Sequence, residues 1–290
     1  MLDGDLPKSM SPDCDVKSHK LDRSEILAGY DAVATLYGSI PPILMWRSWE
    51  HAAYRRFALR EPVLDVGCGD GRFFRLVFPG ISKVVGIEAN PGVADAARQS
   101  AVYDEIHLCE AHTLPLNGRR FASAFANCSL EHMDRLPEVL RGIAESLEPG
   151  GSFLCSVVTD RFLDWAPLPL LLAAAGEPER AMSVQEEYEA YHHLVNAWAP
   201  DDWVRKLDEA GFDIIDHVPI VPEWSGRVFL FFDQLWHLRQ GAAECGEQLA
   251  PHFMRPGFVG GFRQVLAGIL DMEDDSGVAA GAVFHARRRS

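Results

Sequence analysis

Residues 62–72 read PVLDVGCGDGR. Val63, Leu64 and Val66 form a short apolar run interrupted only by Asp65, and Gly67, Gly69 and Gly71 follow at alternate positions. A short apolar run bounded by glycine reads as a buried strand. Glycines so placed let the chain turn through left-handed backbone and bring it close to a partner. A glycine-rich loop between a first strand and a first helix is a nucleotide signal. The spacing G-x-G-x-G is not the G-x-G-x-x-G of dinucleotide enzymes, and no Gly-Lys-Ser/Thr ending makes it a P-loop. By itself the loop also fits a tight structural turn.

Outward from this stretch, strand and helix patterns alternate. GRFFRLVF has helical spacing, KVVGIEA is a second strand, and PGVADAARQS opens with proline and reads as a helix. EIHLCEA and FASAFANCS are the third and fourth strands. DRLPEVLRGIAESLEPGG is a helix with Asp134 as its expected cap and Gly150-Gly151 as its stop, and SFLCSVVT is a fifth strand. APDDWVRKLDEAGF, FDIIDHVPIV and AAGAVFHAR supply a further helix and two more strands. Such alternation predicts an α/β fold, a doubly wound sheet covered on both faces. The expected organisation is a disordered arm (1–20), an N-terminal helical cap (21–60), a cofactor-binding core (61–160), a helical insert (161–199), more core (200–221), a second helical insert (222–276) and the last core strand (277–290). Both inserts leave from carboxyl ends of strands, where open α/β sheets bind ligands, so they are expected to roof the same mouth.

Composition narrows the partners. The formal net charge of the 290 residues is −15, and the basic runs Arg55-Arg56 and Arg287-Arg288-Arg289 are too short to overcome it, so nucleic acid is not an expected partner. Cys14, Cys68, Cys109, Cys128, Cys155 and Cys245 form no C-x-x-C pair; they read as reduced thiols, which favours a cytoplasmic location. The first twenty residues lack an apolar core and do not read as a signal peptide. APLPLLLAAAG is about half a membrane span, so no stable membrane insertion is expected.

Three polar residues close the strands that follow the glycine loop. Glu88 ends the second, where a carboxylate can accept both hydroxyls of a ribose. Glu110 ends the third, where a carboxylate can accept a hydrogen bond from an adenine amino group, and Asn127 ends the fourth. Together, VLDVGCGDGRF, VVGIEANP, CEAHTLPL, FANCSLEHM and SLEPGGSFLCSVV resemble, in order and spacing, the motifs of class I S-adenosylmethionine-dependent methyltransferases of the type 11 kind. The resemblance covers about residues 60–160 and, more loosely, 200–221 and 280–288. It implies a Rossmann-like seven-stranded sheet with the last strand antiparallel, and S-adenosylmethionine as cofactor with S-adenosylhomocysteine as product. Carried over by position, it implies that Asp65, Gly67 and Gly69 line the methionine part. Glu88 would take the ribose with Ala89 beside the adenine, Glu110 and Ala111 would read the adenine edge, and Asn127 would lie near the sulfonium. Tyr30 would close over the cofactor and Tyr37 over the cofactor and substrate. The family more often has Asp at positions 88 and 110, and Ala122 replaces a frequent structural Asp.

The sulfonium is already a strong methyl donor, so the protein's task is placement of a nucleophile with water excluded. The catalytic candidates are His132 in SLEHM and His192 and His193 in EEYEAYHHLVNAW, since imidazole titrates near working pH. Glu131 reads as a surface or capping residue, and Tyr191 joins Tyr37 as a substrate-binding candidate. No metal ligands are expected. The apolar stretches FLDWAPLPLLL and EWSGRVFLFFDQLWHL suit a lid over an apolar pocket, or a homodimer contact. The expected activity is methyl transfer to a small organic molecule at O, N or C. A methyltransferase of protein or RNA, and a non-catalytic cofactor-binding protein of the same fold, stay open as alternatives.

Overall fold

A computed structural model describes residues 16–116, 118–241, 243–274 and 276–290. Residues 1–15, most of the expected disordered arm and with it Cys14, lie outside the described residues. In chain order the strands are β1 (Lys17–Ser18), β2 (Val63–Val66), β3 (Val84–Glu88), β4 (Glu105–Leu108), β5 (Phe121–Asn127), β6 (Leu147–Val158), β7 (Phe212–Pro222), a small hairpin of β8 (Arg239–Gln240) and β9 (Ala243–Glu244), and β10 (Ala279–Arg288). Eight of them form one sheet in the order β1-β7-β10-β6-β5-β2-β3-β4. Every pairing in it is parallel except those of β10, which runs antiparallel between β6 and β7. The seven-stranded core expected from the sequence is therefore present. The eighth strand is the correction: the stretch read as disordered arm ends in β1, which pairs with Asp216 and His217 on the open edge of β7. His19 then reaches Asp216 at 2.6 Å, and His285 of β10 takes its other carboxylate oxygen at 2.8 Å. An edge capped this way is shielded from pairing with another chain.

The chain enters the sheet through two helices, α1 (Arg23–Tyr37) and α2 (Pro41–Tyr54). Asp22 starts α1 with a capping box: its carboxylate accepts from the Glu25 amide at 2.8 Å, and Glu25 accepts from the Asp22 amide at 2.8 Å. The GSIPP break supplies the prolines that open α2. Around the nucleotide half lie α3 (Arg72–Val77), α4 (Pro91–Gln99), capped by Asn90, and α5 (Leu136–Ser146). Asp134 does not cap α5, which starts without a side-chain cap at Arg135, and Gly150-Gly151 do not stop it: they lie inside β6, and α5 ends at Ser146. The first insert holds α6 (Arg161–Asp164), α7 (Pro167–Ala174) and α8 (Pro178–His192). α9 (Pro200–Glu209) returns to the sheet, and the second insert adds α10 (Glu223–His237), α11 (Cys245–Phe253) and α12 (Phe258–Leu270).

Both sheet faces are covered, as a mainly parallel sheet requires. On one face Leu64, Val66, Phe153 and Phe284 pack with Leu140 and Ile143 of α5 and Trp203 of α9. On the other, Phe125, Leu154 and Val283 pack with Trp46 and Tyr54 of α2 and Leu230 of α10. Among the described residues, no helix is long and apolar enough to cross a membrane, and the five described cysteines are free.

The α1–α2 crossing is so close that a Cβ at Gly29 would sit inside the contact shell of the Ser48 carbonyl oxygen, a backbone atom with no freedom to move aside. Gly29→Ala is expected to destabilise the fold by about 1–3 kcal/mol despite alanine's better helix propensity. Urea unfolding of the two proteins measures the difference, and equal midpoints would contradict it.

Candidate active site

The glycine loop leaves β2 at its carboxyl end, where the sheet order reverses between β2 and β5 and an open α/β sheet forms its crevice. Gly67, Gly69 and Gly71 all adopt positive φ, at 71°, 58° and 78°. At Gly67 a Cβ would run into the Ser129 side chain, so the loop packs against the end of β5 as only glycine permits. The Gly69 amide donates to Glu88 Oε2 at 3.1 Å, and the Asn90 amide donates to Oε1 of the same carboxylate at 2.9 Å. Glu88 is thereby fixed while each oxygen retains a lone pair for a further donor.

Asp65 behaves differently from its expected role. It is 2% exposed and does not line the crevice. Its carboxylate accepts from the Tyr103 hydroxyl at 2.8 Å, and that hydroxyl also lies 3.0 Å from the Cys68 carbonyl. Burial, reinforced by the charge of Glu88, pushes Asp65 up to about 7 against the opposing Tyr103 hydrogen bond. Asp65 and Tyr103 thus brace the loop from beneath. Tyr103, between α4 and β4, lies in no motif and carried no sequence signal.

The crevice has a volume of about 470 Å³ and is lined by Gly67, Glu88, Ala89, Glu110 and Ala111 of the residues expected there, and by Ser129, His132 and Asp134 beside them. Glu110 stands just past β4 rather than at its end. Asn127 does close β5, and its Oδ1 is buried with no hydrogen-bond partner among the described residues. Tyr30 is a correction. It is fully buried between helices, donates to the Val259 carbonyl at 2.8 Å and does not reach the crevice, so it holds α12 rather than a cofactor. Asn127 does not line the crevice, so what the crevice offers is a doubly anchored carboxylate and a second carboxylate along it, which suit a molecule with ribose hydroxyls and an amino-bearing base. The chain's residues fit S-adenosylmethionine in those respects.

A second cavity, of about 200 Å³, shares Cys128 and His132 with the crevice. Trp46, Phe162 and Phe229 wall it, with ring centroids of Trp46 5.0 Å from Phe229 and 5.7 Å from Phe162. Its polar lining includes Tyr37, Arg47, Glu131, His192 and Asp233. Two catalytic candidates therefore meet here and one does not. His193 caps α8 in the left-handed region at φ 44°, lies on the surface near Asp134 at 3.4 Å and lines neither cavity. Tyr191 also turns away, to line a separate cavity with His237. His132 stands at the rim between the two cavities, and partial desolvation of its ring holds it below its ordinary pKa.

Beneath this cavity lies a charged cluster that no motif announced. Glu50 is fully buried, pairs with Arg47 at 2.6 Å, and accepts from Ser156 Oγ at 2.7 Å and Cys128 Sγ at 2.9 Å. Glu131 is another correction: expected at the surface or as a cap, it is 1% exposed, with Oε2 lacking a partner among the described residues. Burial raises it from 4.5 to about 8, and the nearby Glu50 charge adds to the rise. At neutral pH it keeps its proton and can donate a hydrogen bond. Its backbone carbonyl accepts from the Val195 and Asn196 amides at 3.0 and 3.1 Å, while the Asn196 amide group donates to the Leu130 and Met133 carbonyls. The end of the first insert is thereby tied to the wall between the cavities.

Comparison with known proteins places the chain in a family and a fold. Residues 46–217 match the sequence model of a family described as "Methyltransferase domain". The chain is 27% identical over 167 residues to an uncharacterized methyltransferase of Schizosaccharomyces pombe, covering 53% of this chain and 60% of that protein. It is 25% identical over 182 residues to the malonyl-[acyl-carrier protein] O-methyltransferase of Serratia marcescens, covering 63% and 62%. The matched region thus spans about 60% of the length of these relatives. A solved structure of geranyl diphosphate C-methyltransferase from Streptomyces coelicolor, containing S-adenosyl-L-homocysteine, shares the fold at TM-score 0.52 and 14% identity over 93% of this chain and 85% of that one.

Glu131 makes stability depend on pH with a definite sign. Between its unfolded value, about 4.5, and its folded value, about 8, the folded chain holds a proton that the unfolded chain has lost. Its contribution is absent below that window and grows more unfavourable as pH rises through it. Glu131→Gln is expected to gain stability relative to the parent on going from acidic to weakly alkaline pH, by about 1–3 kcal/mol. Thermal melts of both proteins at pH 5 and pH 8 test this, and a gap that shrinks with rising pH would contradict it.

Proposed function

This chain belongs to the methyltransferase-domain family, and on that premise we propose that it moves a methyl group from S-adenosylmethionine to an oxygen of a small, largely apolar organic molecule. The observation that carries the proposal is the pair of adjoining cavities, one polar and suited to the cofactor, the other small and aromatic, with Cys128 and His132 as their common wall. An acceptor in the aromatic cavity would meet the methyl group where the two cavities adjoin, beside Cys128 and His132. The volume of about 200 Å³ suits a small molecule or the end of a larger one. The O-methyltransferase of Serratia marcescens supports oxygen as the acceptor atom. Contact between two copies, if made through the inserts, would use α7, where Leu170 and Leu171 are exposed.

When bound, S-adenosylmethionine supplies an electrophilic methyl carbon on a sulfonium. Glu88, held by the Gly69 and Asn90 amides, would take the ribose hydroxyls, and Glu110 and Ala111 would flank the base. Trp46, Phe162 and Phe229 exclude water from the acceptor side, which strengthens each polar contact left inside. His132, uncharged at neutral pH, accepts the hydroxyl proton: with Nδ1 toward the His193 carbonyl at 3.4 Å, Nε2 is left with the free lone pair. Protonated Glu131 and Tyr37 orient the acceptor by donating hydrogen bonds.

Glu88→Ala is expected to weaken S-adenosylhomocysteine binding by at least about thirtyfold, from two lost charge-assisted hydrogen bonds. Calorimetric titration measures it, and unchanged affinity would refute the ribose assignment. His132→Ala should lower kcat by about a hundredfold and leave that affinity intact. For the acceptor class, the protein is incubated with methyl-labelled cofactor and fractionated cell extract. Label in the small-molecule fraction is the expected result. Label confined to protein or RNA would overturn the small-molecule reading.

A further inference from the structure

Where α8 and α10 end side by side, His192, Asp233 and His237 bring one imidazole, one carboxylate and a second imidazole within 4.8 Å of one another. Asp233 and His237 are one helical turn apart and share a face of α10. His192 Nε2 lies 3.0 Å from Asp233 Oδ2, and His237 Nε2 lies 3.7 Å from Asp233 Oδ1. Donor atoms bound to one tetrahedral zinc ion stand about 3.3–3.5 Å apart, so small side-chain rotations suffice to seat one. The ligand atoms are also supported from behind. His237 Nδ1 faces Glu244 Oε2 at 3.3 Å, which turns Nε2 toward Asp233 as the free donor atom. The Tyr188 hydroxyl donates to Asp233 Oδ2 at 2.7 Å and holds the carboxylate, whose side chain is only 9% exposed. A carboxylate behind a ligating histidine and a hydrogen bond on a ligating carboxylate are the usual outer support of metal centres.

We propose that His192, Asp233 and His237 bind one divalent first-row transition metal ion, zinc or a similar cation, with its open coordination position toward the aromatic cavity. Two imidazoles and one carboxylate favour such an ion over magnesium or calcium. His192 and Asp233 line the aromatic cavity itself, while His237 lines a second cavity of about 410 Å³ that gives the ion a route in. Three protein ligands and one open position are the arrangement of an ion that binds a substrate oxygen. Such an ion would hold the acceptor's oxygen and lower the pKa of a hydroxyl bound there, so that less basicity is needed from His132. That role rests on the proposed function; the ion site does not.

The test is titration of the tag-free, chelator-treated full chain with zinc chloride by calorimetry, with cobalt(II) absorption to report the ligand field. The expected result is one equivalent bound at micromolar affinity or tighter, weakened at least about a hundredfold in both Asp233→Asn and His237→Gln and about tenfold in Glu244→Gln, which keeps all three ligands. S-adenosylhomocysteine binding, measured on the same samples, shows that each variant is folded. Absence of saturable zinc or cobalt binding, or equal affinity in the parent and all three variants, overturns the site and leaves Asp233 as a hydrogen-bonding bridge between two histidines. Zinc bound without methyl transfer to any small molecule would instead refute the proposed acceptor and leave the ion site standing.

Discussion

The candidate site depends on one carboxylate shared between two loops. Glu88 accepts the Gly69 amide on one oxygen and the Asn90 amide on the other, so the turn after β2 and the turn after β3 are pinned to a single group. Neither loop can shift without leaving a peptide donor unpaired at some free-energy cost. The left-handed glycines allow the first loop to reach Glu88, and Asp65 with Tyr103 holds it from the core side. The crevice is thus a product of backbone hydrogen bonds made before any ligand arrives, and a ligand meets donors and acceptors already oriented.

The rest of the molecule divides the sheet's carboxyl edge between two tasks. The half built from β2, β3 and β4 offers the polar crevice, and the half toward β6, β10 and β7 carries the inserts. The two meet at Cys128 and His132, just after β5, with Glu131 beside them on the aromatic side. Buried charge is concentrated at that seam. Glu50, Arg47 and Cys128 satisfy one another, whereas Glu131 has one oxygen without a partner among the described residues. Buried polar groups without partners are costly and tend to persist where they serve a site.

Much of this was legible in the sequence. The alternating apolar runs and helices located the strands of the core, because a parallel sheet buried on both faces leaves continuous apolar runs. The polar strand ends likewise led to Glu88 and Glu110, and the resemblance to Ala89 and Ala111, all of which line the crevice. The failures have physical causes. Tyr30 and His193 are a tyrosine and a histidine at plausible helical positions, but a helix turns one face inward and another out, and spacing alone does not tell which neighbour each face meets. Glu131 looked like a surface residue because a charged side chain usually is one; its carbonyl is held by the Val195 and Asn196 amides, contacts made from a distant part of the chain. Lys17 and Ser18 are too short a stretch to show a period, and only the free edge of β7 makes them a strand. The meeting of His192, Asp233 and His237 joins two inserts with no motif between them.

The antiparallel strand carries a consequence for how the protein comes to exist in a cell. β10 lies between β6 and β7 in the sheet but follows both in the chain, more than fifty residues after β7. On the ribosome, β2 through β6 can pair as they emerge, and the polar crevice can form with them. β7 has no neighbour on its inner side until residues 279–288 have been made, and the inserts that wall the aromatic cavity flank that missing strand. The order of synthesis thus separates the two halves in time: the polar crevice can take shape on the growing chain, and the aromatic cavity waits for the long-range closure that β10 supplies.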